Sequence, residues 1–473
     1  MYNNNIMDIG ILRDINDWWV TGRVRDTFLE PVPRKITPEI LQAMDERQII
    51  LLEGPRRVGK TSIIFHLIQG LIEKGINPRH IIYISLDDPL IRKEKFFESL
   101  LSIIETYLTG MRIQSAKEKL YLFLDEVTHL KEWELYLKRY YDQKYPIKFV
   151  VSSSAASFLV KKGRESLVGR LFRFNITPFS FSEFLQFRQI KQEILRLQED
   201  IITLWKVFFE RPDREPLLRG LVQISKRMAL HNREVDIHLY QFLLNGGFPE
   251  FLQLKGERSI RQYFTENILE RVIYHDIPEA FRVADRGLLE NLLLYSIFHS
   301  GSIININEIA ASYNATRQTV SDYLHYLQTS MLVRLLEKYA RTEASRLRAF
   351  RKLYTIDTGL YIHLQRLTPA QVEEKGILGQ IAEIAVFSQL NMYKGISGKL
   401  FYFREREAEV DFILETTKGL IPIEVKYRET TKDIKGIRYF MGKFKAKTPL
   451  IITKDTFRVE ERALYVPLRL FLS

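Results

Sequence analysis

Residues 48–61 read Gln-Ile-Ile-Leu-Leu-Glu-Gly-Pro-Arg-Arg-Val-Gly-Lys-Thr, and this stretch decides the fold class. Its apolar first half predicts a buried strand, and the residues from Lys60 onward have the apolar spacing of a helix. Two glycines, Gly54 and Gly59, bound the loop between these elements. A strand, a glycine-rich loop and a helix in this order form the arrangement that binds nucleotide phosphates.

The residue types of this loop suit a triphosphate and its magnesium ion. Glycines let backbone N–H groups surround the phosphate oxygens, and the following helix adds its N-terminal N–H groups and its dipole. We expect Lys60 to reach the β- and γ-phosphates and Thr61 to ligate Mg²⁺. The predicted ATP-binding residues are Gly54, Pro55, Arg56, Arg57, Val58, Gly59, Lys60, Thr61 and Ser62.

A second apolar run, residues 121–124, ends in two acidic residues. As a strand, it would deliver Asp125 and Glu126 to the sheet edge that carries the phosphate loop. We expect Asp125 to hold Mg²⁺ and Glu126 to polarise the water that attacks the γ-phosphate. The alternative is that the two carboxylates only cap a helix that begins near Val127.

Two further segments offer groups for the γ-phosphate. The run 149–154 predicts a strand between the other two, and its polar end offers Ser152 or Ser154; we assign Ser154 to the nucleotide site. The alternative is that these serines cap a helix from about Ala155. Arg170 is expected to contact the γ-phosphate, in its own chain or across a subunit boundary. The alternative for Arg170 is a surface ion pair.

The order of predicted elements divides the 473 residues, which are too many for one hydrophobic core. A helical lead-in covers residues 1–47, and strands alternate with helices over residues 48–180, which predicts a parallel α/β sheet. Residues 181–286 are mostly helical in pattern, and residues 287–357 combine helices with a hairpin. Residues 358–473 form a second α/β region.

Composition narrows the class of protein. The chain has no cysteine, which excludes disulfides and thiolate metal sites, and it has no apolar run that predicts a membrane span. The first ten residues lack the pattern of a secretion signal. We therefore expect a cytoplasmic protein without membrane association. The net charge of +12 favours a nucleic-acid partner, although a solvated Lys/Arg surface would give the same charge.

Several of these segments together resemble one family. They are Gly-Pro-Arg-Arg-Val-Gly-Lys-Thr, Leu-Asp-Glu-Val, Val-Gly-Arg, Thr-Pro-Phe-Ser-Phe-Ser-Glu-Phe-Leu at 177–185 and Gly-Gly-Phe-Pro-Glu at 246–250. They are similar to segments of the AAA-family P-loop ATPases common in archaea and bacteria. The resemblance covers nearly the whole chain and implies an AAA-type core, a middle winged helix and a C-terminal restriction-endonuclease-like domain. Ser153 departs from this family, which usually has glycine there.

The C-terminal region has the residue order of a metal-dependent nuclease. Asp411 lies in one apolar strand, and Glu424 and Lys426 lie two residues apart in the next, which places them on one face. The resemblance implies the family motif at these positions and at Glu383 on the preceding helix. We expect Glu383, Asp411 and Glu424 to hold Mg²⁺ and Lys426 to assist phosphodiester hydrolysis. The alternative is a relic fold that binds DNA or protein without cutting.

Residues 303–333 predict a helix–turn–helix. Asn307 begins its first helix and Thr316 caps its second, whose outward face would meet a DNA groove through Arg317, Gln318, Ser321 and Asp322. A candidate basic wing follows, formed by Arg341, Arg346, Arg348, Arg351 and Lys352. The alternative is that the winged helix contacts protein.

Three functions are open at this point. The intact acidic residues favour an ATP-regulated nuclease that depends on Mg²⁺. The second function is an ATPase switch that binds DNA or a partner protein without cutting, and the third is a protein-remodelling ATPase. ATP and Mg²⁺ are the expected cofactors, DNA is the expected partner, and a homo-oligomer is required if Arg170 acts across a subunit boundary.

Overall fold

The computed structural model describes residues 9–88, 96–116, 118–154, 167–254, 256–427 and 434–472. The chain forms two compact units. Unit 1 comprises Met1–Thr177 and Tyr274–Arg282, and unit 2 comprises Pro178–Ile273 and Val283–Ser473. Each unit has its own β-sheet. Within the described ranges, every helix is too short or too polar to span a bilayer.

Unit 1 is built on a parallel sheet. In the described part of the chain, its strands lie in the order β2-β3-β4-β1-β5, and each neighbouring pair is parallel. The predicted parallel α/β sheet is confirmed, and so is the position of β4 between β3 and β1. The strands are β1 Ile49–Gly54, β2 Ile81–Ser85, β3 Leu120–Asp125, β4 Ile147–Ser154 and β5 Leu171–Asn175.

Helices cover the apolar faces of this sheet. The helix after the phosphate loop, Lys60–Glu73, buries Ile63, Ile64, Leu67 and Leu71, whose spacing places them on one helix face. The helices of unit 1 are Ile9–Ile15, Trp18–Thr21, Thr37–Ala43, Lys60–Glu73, Phe96–Ile103, Trp133–Asp142 and Ile277–Ala280, with π-helical turns at Ile104–Thr109.

Unit 2 contains a mixed sheet that joins the two regions predicted as separate domains. Strand β7 of the middle region pairs in parallel with β9 of the C-terminal region, with Glu337 opposite Phe401. This pairing covers edges that two separate sheets would leave open. The described strands are β6 Ile303–Ile304, β7 Val333–Lys338, β8 Arg351–Thr355, β9 Lys399–Glu405, β10 Ala408–Thr416, β11 Gly419–Lys426, β12 Leu450–Thr453, β13 Arg458–Glu460 and β14 Ala463–Pro467, in the order β13-β14-β12-β11-β10-β9-β7-β8-β6.

Unit 2 begins with a helical region, as its sequence predicts. Its helices are Phe181–Phe187, Gln192–Glu210, Arg214–Met228, Asn232–Asn245, Glu257–Gln262, Arg286–Phe298, Ile306–Ser312, Arg317–Thr329, Glu343–Arg348, Thr358–Leu364, Pro369–Glu374, Leu378–Ser397, Lys435–Phe444 and Leu468–Phe471, with π-helical turns at Tyr263–Glu270.

Two of the family-like segments meet in unit 2. The N–H group of Phe179 donates to Gly247 O at 2.7 Å, and a Cβ atom at Gly247 would lie 2.4 Å from the Phe179 carbonyl oxygen. Asp357 in turn accepts from Gly247 N at 2.7 Å and from Leu360 N at 3.2 Å. Gly247 is therefore required by close backbone packing, which gives this segment a structural role.

Lys148 on β4 anchors the lead-in of unit 1. The side chain is 1% exposed, and its ammonium group donates to Ala43 O at 2.9 Å, Glu46 O at 2.7 Å and Gln48 O at 2.6 Å. Three donors thus meet three carbonyl acceptors. The contacts connect the end of helix Thr37–Ala43 and the start of β1 to the neighbouring strand.

Replacing Lys148 by methionine should lower the free energy of unfolding of unit 1 by about 1–3 kcal/mol, because the three carbonyl groups lose their donors. Thermal and denaturant unfolding measure this change. Lys74→Met is the matched control, since Lys74 is exposed at the end of helix Lys60–Glu73. Equal stability of the two variants would contradict the anchoring role.

Candidate functional site

The phosphate loop follows β1 and is shaped by two glycines. A Cβ atom at Gly54 would lie 2.1 Å from the Ile176 carbonyl oxygen, so only glycine allows this approach. Gly59 has φ of 89°, in the left-handed region that glycine adopts at no steric cost. Arg57 is also left-handed, with φ of 65°. The loop thus turns back sharply before the helix that begins at Lys60.

Lys60 and Thr61 face the end of β3, as predicted. The Thr61 hydroxyl donates to Asp125 Oδ2 at 2.7 Å. Lys60 Nζ donates to Gly54 O at 3.2 Å and Pro55 O at 3.0 Å, and lies 3.8 Å from Glu126 Oε1. The structure therefore brings together the hydroxyl, the ammonium group and the two carboxylates that the sequence assigned to one site.

Asp125 is the buried centre of this group. Its carboxylate accepts from the hydroxyls of Thr61, Ser152 and Tyr83, the last at 3.1 Å. Burial raises the pKa of Asp125 and the nearby Glu126 charge raises it further, whereas the hydroxyl bonds and Lys60 lower it. A divalent cation beside this carboxylate would favour its charged form. Asp125 and Thr61 thus have the oxygen chemistry that Mg²⁺ prefers.

Glu126 is held in an unusual backbone conformation. Its φ is 52°, which is uncommon for a residue with a side chain and often occurs at functional positions. Its N–H group donates to Ser152 Oγ at 2.9 Å, and its Oε2 accepts from Ser154 N at 3.3 Å. These contacts direct the carboxylate along the edge formed by β3 and β4.

The two candidate serines lie at different points of this edge. Ser152 bonds to Asp125 and to the Glu126 backbone, so it supports the acidic pair. Ser154 pairs in register with Gly54, at the start of the phosphate loop. Assignment of Ser154 to the nucleotide remains a prediction, and the structure places it next to the loop.

Two arginines at the phosphate loop form contacts that the sequence motif did not predict. Arg34 is buried and donates to Val58 O inside the loop and to Thr177 O at 2.9 Å. Arg56, which lies inside the loop, forms a bidentate ion pair with Asp276. Its Nη2 lies 2.6 Å from Oδ1, and its Nε lies 2.8 Å from each carboxylate oxygen. Neither Arg34 nor Asp276 lies in a recognisable motif, because each contact joins residues far apart in sequence.

Arg170 lies at the opposite end of the sheet from the phosphate loop. Its carbonyl accepts from Ile49 N at 2.9 Å, at the first residue of β1, and a strand rises about 3.3 Å per residue, so the loop begins roughly 16 Å away. Its guanidinium pairs with Asp142 at 2.7 Å. The expected contact with the γ-phosphate of the same chain is therefore wrong, and only contact with a neighbouring subunit remains as a prediction.

In unit 2, two of the predicted nuclease residues, Glu383 and Asp411, contact a lysine that the motif does not include. Lys352 Nζ lies 3.0 Å from Glu383 Oε1, 3.1 Å from Asp411 Oδ1 and 3.3 Å from Glu409 Oε1. Its side chain is 2% exposed. Among the residues that the structure describes, no three His, Asp or Glu side chains are placed to hold a metal ion. Two of the three predicted metal ligands, Glu383 and Asp411, thus contact the Lys352 ammonium group, and binding of Mg²⁺ by Glu383, Asp411 and Glu424 remains a prediction.

Electrostatics explain why this cluster needs a cation. Burial raises the pKa values of Glu383 and Glu424, and the Asp411 charge raises both further. Burial alone would lower the pKa of Lys352, but the surrounding Tyr354, Asp411 and Glu383 raise it well above its usual value. Lys352 therefore stays charged and compensates the buried acids.

Glu424 and Lys426 form a second pair beside this cluster. Lys426 Nζ lies 2.7 Å from Glu424 Oε1, which confirms that the two side chains share one face of β11. Asp411 Oδ2 accepts from Val425 N at 2.9 Å, so β10 and β11 are joined at this point. Lys426 therefore neutralises Glu424, and its predicted role toward a phosphodiester is untested by this geometry.

The helix–turn–helix segment has the predicted helices. They are Ile306–Ser312 and Arg317–Thr329, and Thr316 accepts from Thr319 N at the start of the second helix. Arg317 and Gln318 are exposed, and Gln318 donates to Asp322 at 2.9 Å. An interaction with DNA by this face remains a prediction.

The predicted basic wing is only partly available to a partner. Lys352 is buried, Arg351 pairs with Glu337 at 3.3 Å, and Arg346 lies over the Phe401 ring at 4.6 Å. Arg348 is exposed at the end of the short helix Glu343–Arg348, where the sequence predicted strands. Arg341 is also exposed, and its guanidinium donates to Lys443 O at 3.0 Å. Arg341 and Arg348 therefore have the exposure that a phosphate contact needs.

Three regions of the chain match protein-family models. Residues 46–185 match an AAA domain, residues 237–371 match a domain of unknown function, DUF8612, and residues 378–471 match a second one, DUF4143. The first match covers the loop, β1 to β5 and the acidic pair described above.

Relatives of similar length are found in archaea and bacteria. Two uncharacterized proteins of Methanocaldococcus jannaschii are 24% and 23% identical, over 91% and 90% of this chain and 88% and 85% of theirs. An uncharacterized protein of Haemophilus influenzae is 21% identical over 86% of this chain and 90% of its own.

Two solved structures overlap with the chain only weakly. The Aeropyrum pernix ORC1 protein in complex with DNA covers 76% of this chain and 97% of its own, with 12% identity and a TM-score of 0.28. Caenorhabditis elegans PCH-2 covers 45% and 53%, with 17% identity and a TM-score of 0.23. Scores this low carry no inference. The loop geometry and the domain match together show that residues 46–185 have the P-loop NTPase fold of an AAA domain.

Proposed function

We propose that this protein is an ATP-hydrolysing switch that acts on nucleic acid. The observation that carries the ATPase part is the Thr61–Asp125 hydrogen bond of 2.7 Å, with Glu126 next to both Lys60 and the end of β4. This arrangement has a magnesium-binding pair, a phosphate-binding cation and a separate carboxylate for the water. ATP binding and hydrolysis would thus switch unit 1 between two states.

Each residue of the site has one task in this proposal. Lys60 and the loop N–H groups hold the β- and γ-phosphates, and Thr61 and Asp125 hold Mg²⁺, which supplies charge neutralisation at the phosphates. Glu126 orients the attacking water and accepts its proton. The strained φ of Glu126 fixes its carboxylate apart from Asp125, so that the two acids serve different partners.

The nucleic-acid part rests on the helix–turn–helix and on charge. Helix Arg317–Thr329 exposes Arg317 in its first turn, and helix Glu343–Arg348 exposes Arg348 at its end. The chain also carries a net charge of +12, which favours a polyanionic partner. A cytoplasmic location fits this partner. An oligomer would be needed only if Arg170 reaches the γ-phosphate of a neighbouring subunit.

For the C-terminal region, the position of Lys352 favours the non-cutting switch over the nuclease. An ammonium group that contacts Glu383 and Asp411 competes with Mg²⁺ for the same oxygens. A metal-dependent nuclease is the alternative. Divalent-metal-dependent cleavage that disappears in Asp411→Ala, while ATP turnover persists, would favour that alternative.

Lys60→Ala should weaken nucleotide binding and abolish turnover, because it removes the charge at the β- and γ-phosphates. Glu126→Gln should bind ATP normally and turn it over at least about a hundredfold more slowly, because only the water loses its base. Steady-state phosphate release and nucleotide titration separate the two effects. Rapid turnover by the Glu126 variant would show that another group activates the water.

Arg317→Glu with Arg348→Glu should weaken binding to duplex DNA and flatten its salt dependence. Each lost phosphate contact reduces the slope of log K against log salt by about 0.9. The control is Lys206→Glu with Arg219→Glu, which makes the same charge change at exposed helix positions. An equal loss in the control would mean that the attraction is diffuse and does not involve the helix–turn–helix.

Lys352→Met should destabilise unit 2 by about 3–5 kcal/mol, because the buried carboxylates lose their cation. Without Lys352, the pKa values of the buried carboxyl groups rise further. At pH 5 these groups can fold in the protonated form, whereas at pH 8 the fold must either bury an unpaired carboxylate or take up a proton. The decrease in the free energy of unfolding should therefore be smaller at pH 5 than at pH 8. Added Mn²⁺ should stabilise the variant more than the wild type. Unfolding curves at both pH values measure this, with exposed Lys399→Met as control.

If Lys352→Met and Lys399→Met have the same stability and the same response to Mn²⁺, the cluster does not depend on the Lys352 charge. The Lys352 charge would then no longer favour a non-cutting C-terminal region over a nuclease.

A further inference from the structure

A short segment of the chain returns to unit 1 after leaving it. Residues Tyr274–Arg282 belong to unit 1, whereas the chain directly before and after them belongs to unit 2. The segment includes Asp276 and the short helix Ile277–Ala280. The segment is therefore joined to unit 2 through the backbone at both of its ends.

Asp276 attaches this segment to the phosphate loop. Both oxygens of its carboxylate accept from the Arg56 guanidinium, at 2.6–2.8 Å, and Asp276 is 3% exposed. Bidentate carboxylate–guanidinium pairs are the most directional ion pairs in proteins, so the pair fixes the plane of the guanidinium as well as its position.

The position of Arg56 in the phosphate loop connects the Arg56–Asp276 pair to the proposed ATP hydrolysis. Arg56 lies in the loop between Gly54 and Lys60. Burial lowers the pKa of Arg56, but Asp276 and, to a smaller extent, Glu126 raise it above its usual value, so the guanidinium stays charged. A guanidinium carries more N–H donors than the pair with Asp276 uses, so others can face an anion.

Arg170 does not fill this role within the same chain. It lies at the far end of β1 and pairs with Asp142, whereas Arg56 lies in the loop itself. An arginine placed at the γ-phosphate stabilises charge in the transition state of phosphoryl transfer. Arg56, which lies in the phosphate loop and is held by Asp276, is placed for that task.

We propose that Asp276 is a positioning residue of the ATP site, which holds Arg56 so that its remaining N–H groups face the γ-phosphate. Turnover then depends on segment 274–282, and this segment reports the occupancy of the phosphate site to unit 2. The inference rests on the proposed ATP hydrolysis and assigns its regulation to a named contact. A buried ion pair by itself is weak evidence of stabilisation, which is why a kinetic role must be tested separately.

The test compares turnover and ATP affinity in wild type, Asp276→Asn, Asp276→Glu, Arg56→Ala and the double variant Arg56→Ala with Asp276→Asn. Asp276→Asn should lower kcat roughly tenfold to a hundredfold, the usual cost of a misplaced catalytic group, while the Kd for ATP changes much less. Asp276→Glu should recover part of the loss. The double variant should be no slower than Arg56→Ala, since Asp276 acts through Arg56.

Glu279→Gln is the matched control. Glu279 is an exposed acid on the same segment whose charge acts on Arg56 less than that of Asp276 and without its hydrogen bonds, so its variant should keep wild-type turnover. Wild-type turnover in Asp276→Asn would overturn the proposal. So would additive losses in the double variant, because they would place the effect of Asp276 elsewhere. Circular dichroism of each variant identifies any that fail to fold.

A second measurement separates this proposal from the proposed function. Hydrogen exchange of residues 274–282 should slow when a non-hydrolysable ATP analogue and Mg²⁺ are added to wild type, and should not respond in Arg56→Ala. If the wild type does not hydrolyse ATP but shows this slower exchange, the proposed ATP hydrolysis is wrong, whereas the coupling of the phosphate site to residues 274–282 is supported. If the wild type binds the analogue and exchange in this segment does not change, the proposed coupling is wrong.

Discussion

The hydrogen bond from Thr61 to Asp125 is the contact on which the nucleotide site depends. It joins the first turn of the helix after the phosphate loop to the carboxyl end of β3. The two strands are not neighbours, because β4 lies between β1 and β3, so the contact requires the parallel order of the sheet. The same order places Ser152 against Asp125 and Ser154 level with Gly54. Fold and site are therefore specified by one arrangement of strands.

Buried charges impose a second constraint on both units. Three buried or half-buried basic side chains are satisfied in different ways: Lys148, whose pKa burial lowers to about 7, by backbone carbonyls, Lys352 by carboxylates and Arg56 by one carboxylate. Removing water from a charge costs several kcal/mol unless partners replace it, so these contacts restrict where the segments can lie. For Lys352, that restriction joins β8 to β10 and determines what the acidic residues of the C-terminal region can bind. For Arg56, it connects the phosphate loop to a segment that continues into unit 2.

The sequence predicted what local patterns encode. The phosphate loop, the strands of unit 1 and both helices of the helix–turn–helix follow from apolar spacing and capping residues, which act within a few positions. Asp276 was missed, and Lys352 was assigned to the basic wing, because their partners Arg56 and Asp411 lie 220 and 59 residues away. Arg170 was misplaced because β5 begins at Leu171, directly after it, so Arg170 lies beside Ile49 at the start of β1 and not at the end that carries the phosphate loop.

The central claim is that Thr61 and Asp125 form a site for a magnesium–ATP complex. Isothermal titration of wild type with ATP, in Mg²⁺ and then in excess EDTA, tests it most directly, with Asp125→Asn measured in parallel. The account predicts clearly tighter binding with Mg²⁺ in wild type and the loss of that difference in Asp125→Asn. Equal affinity of wild type for ATP with and without Mg²⁺ would contradict the account.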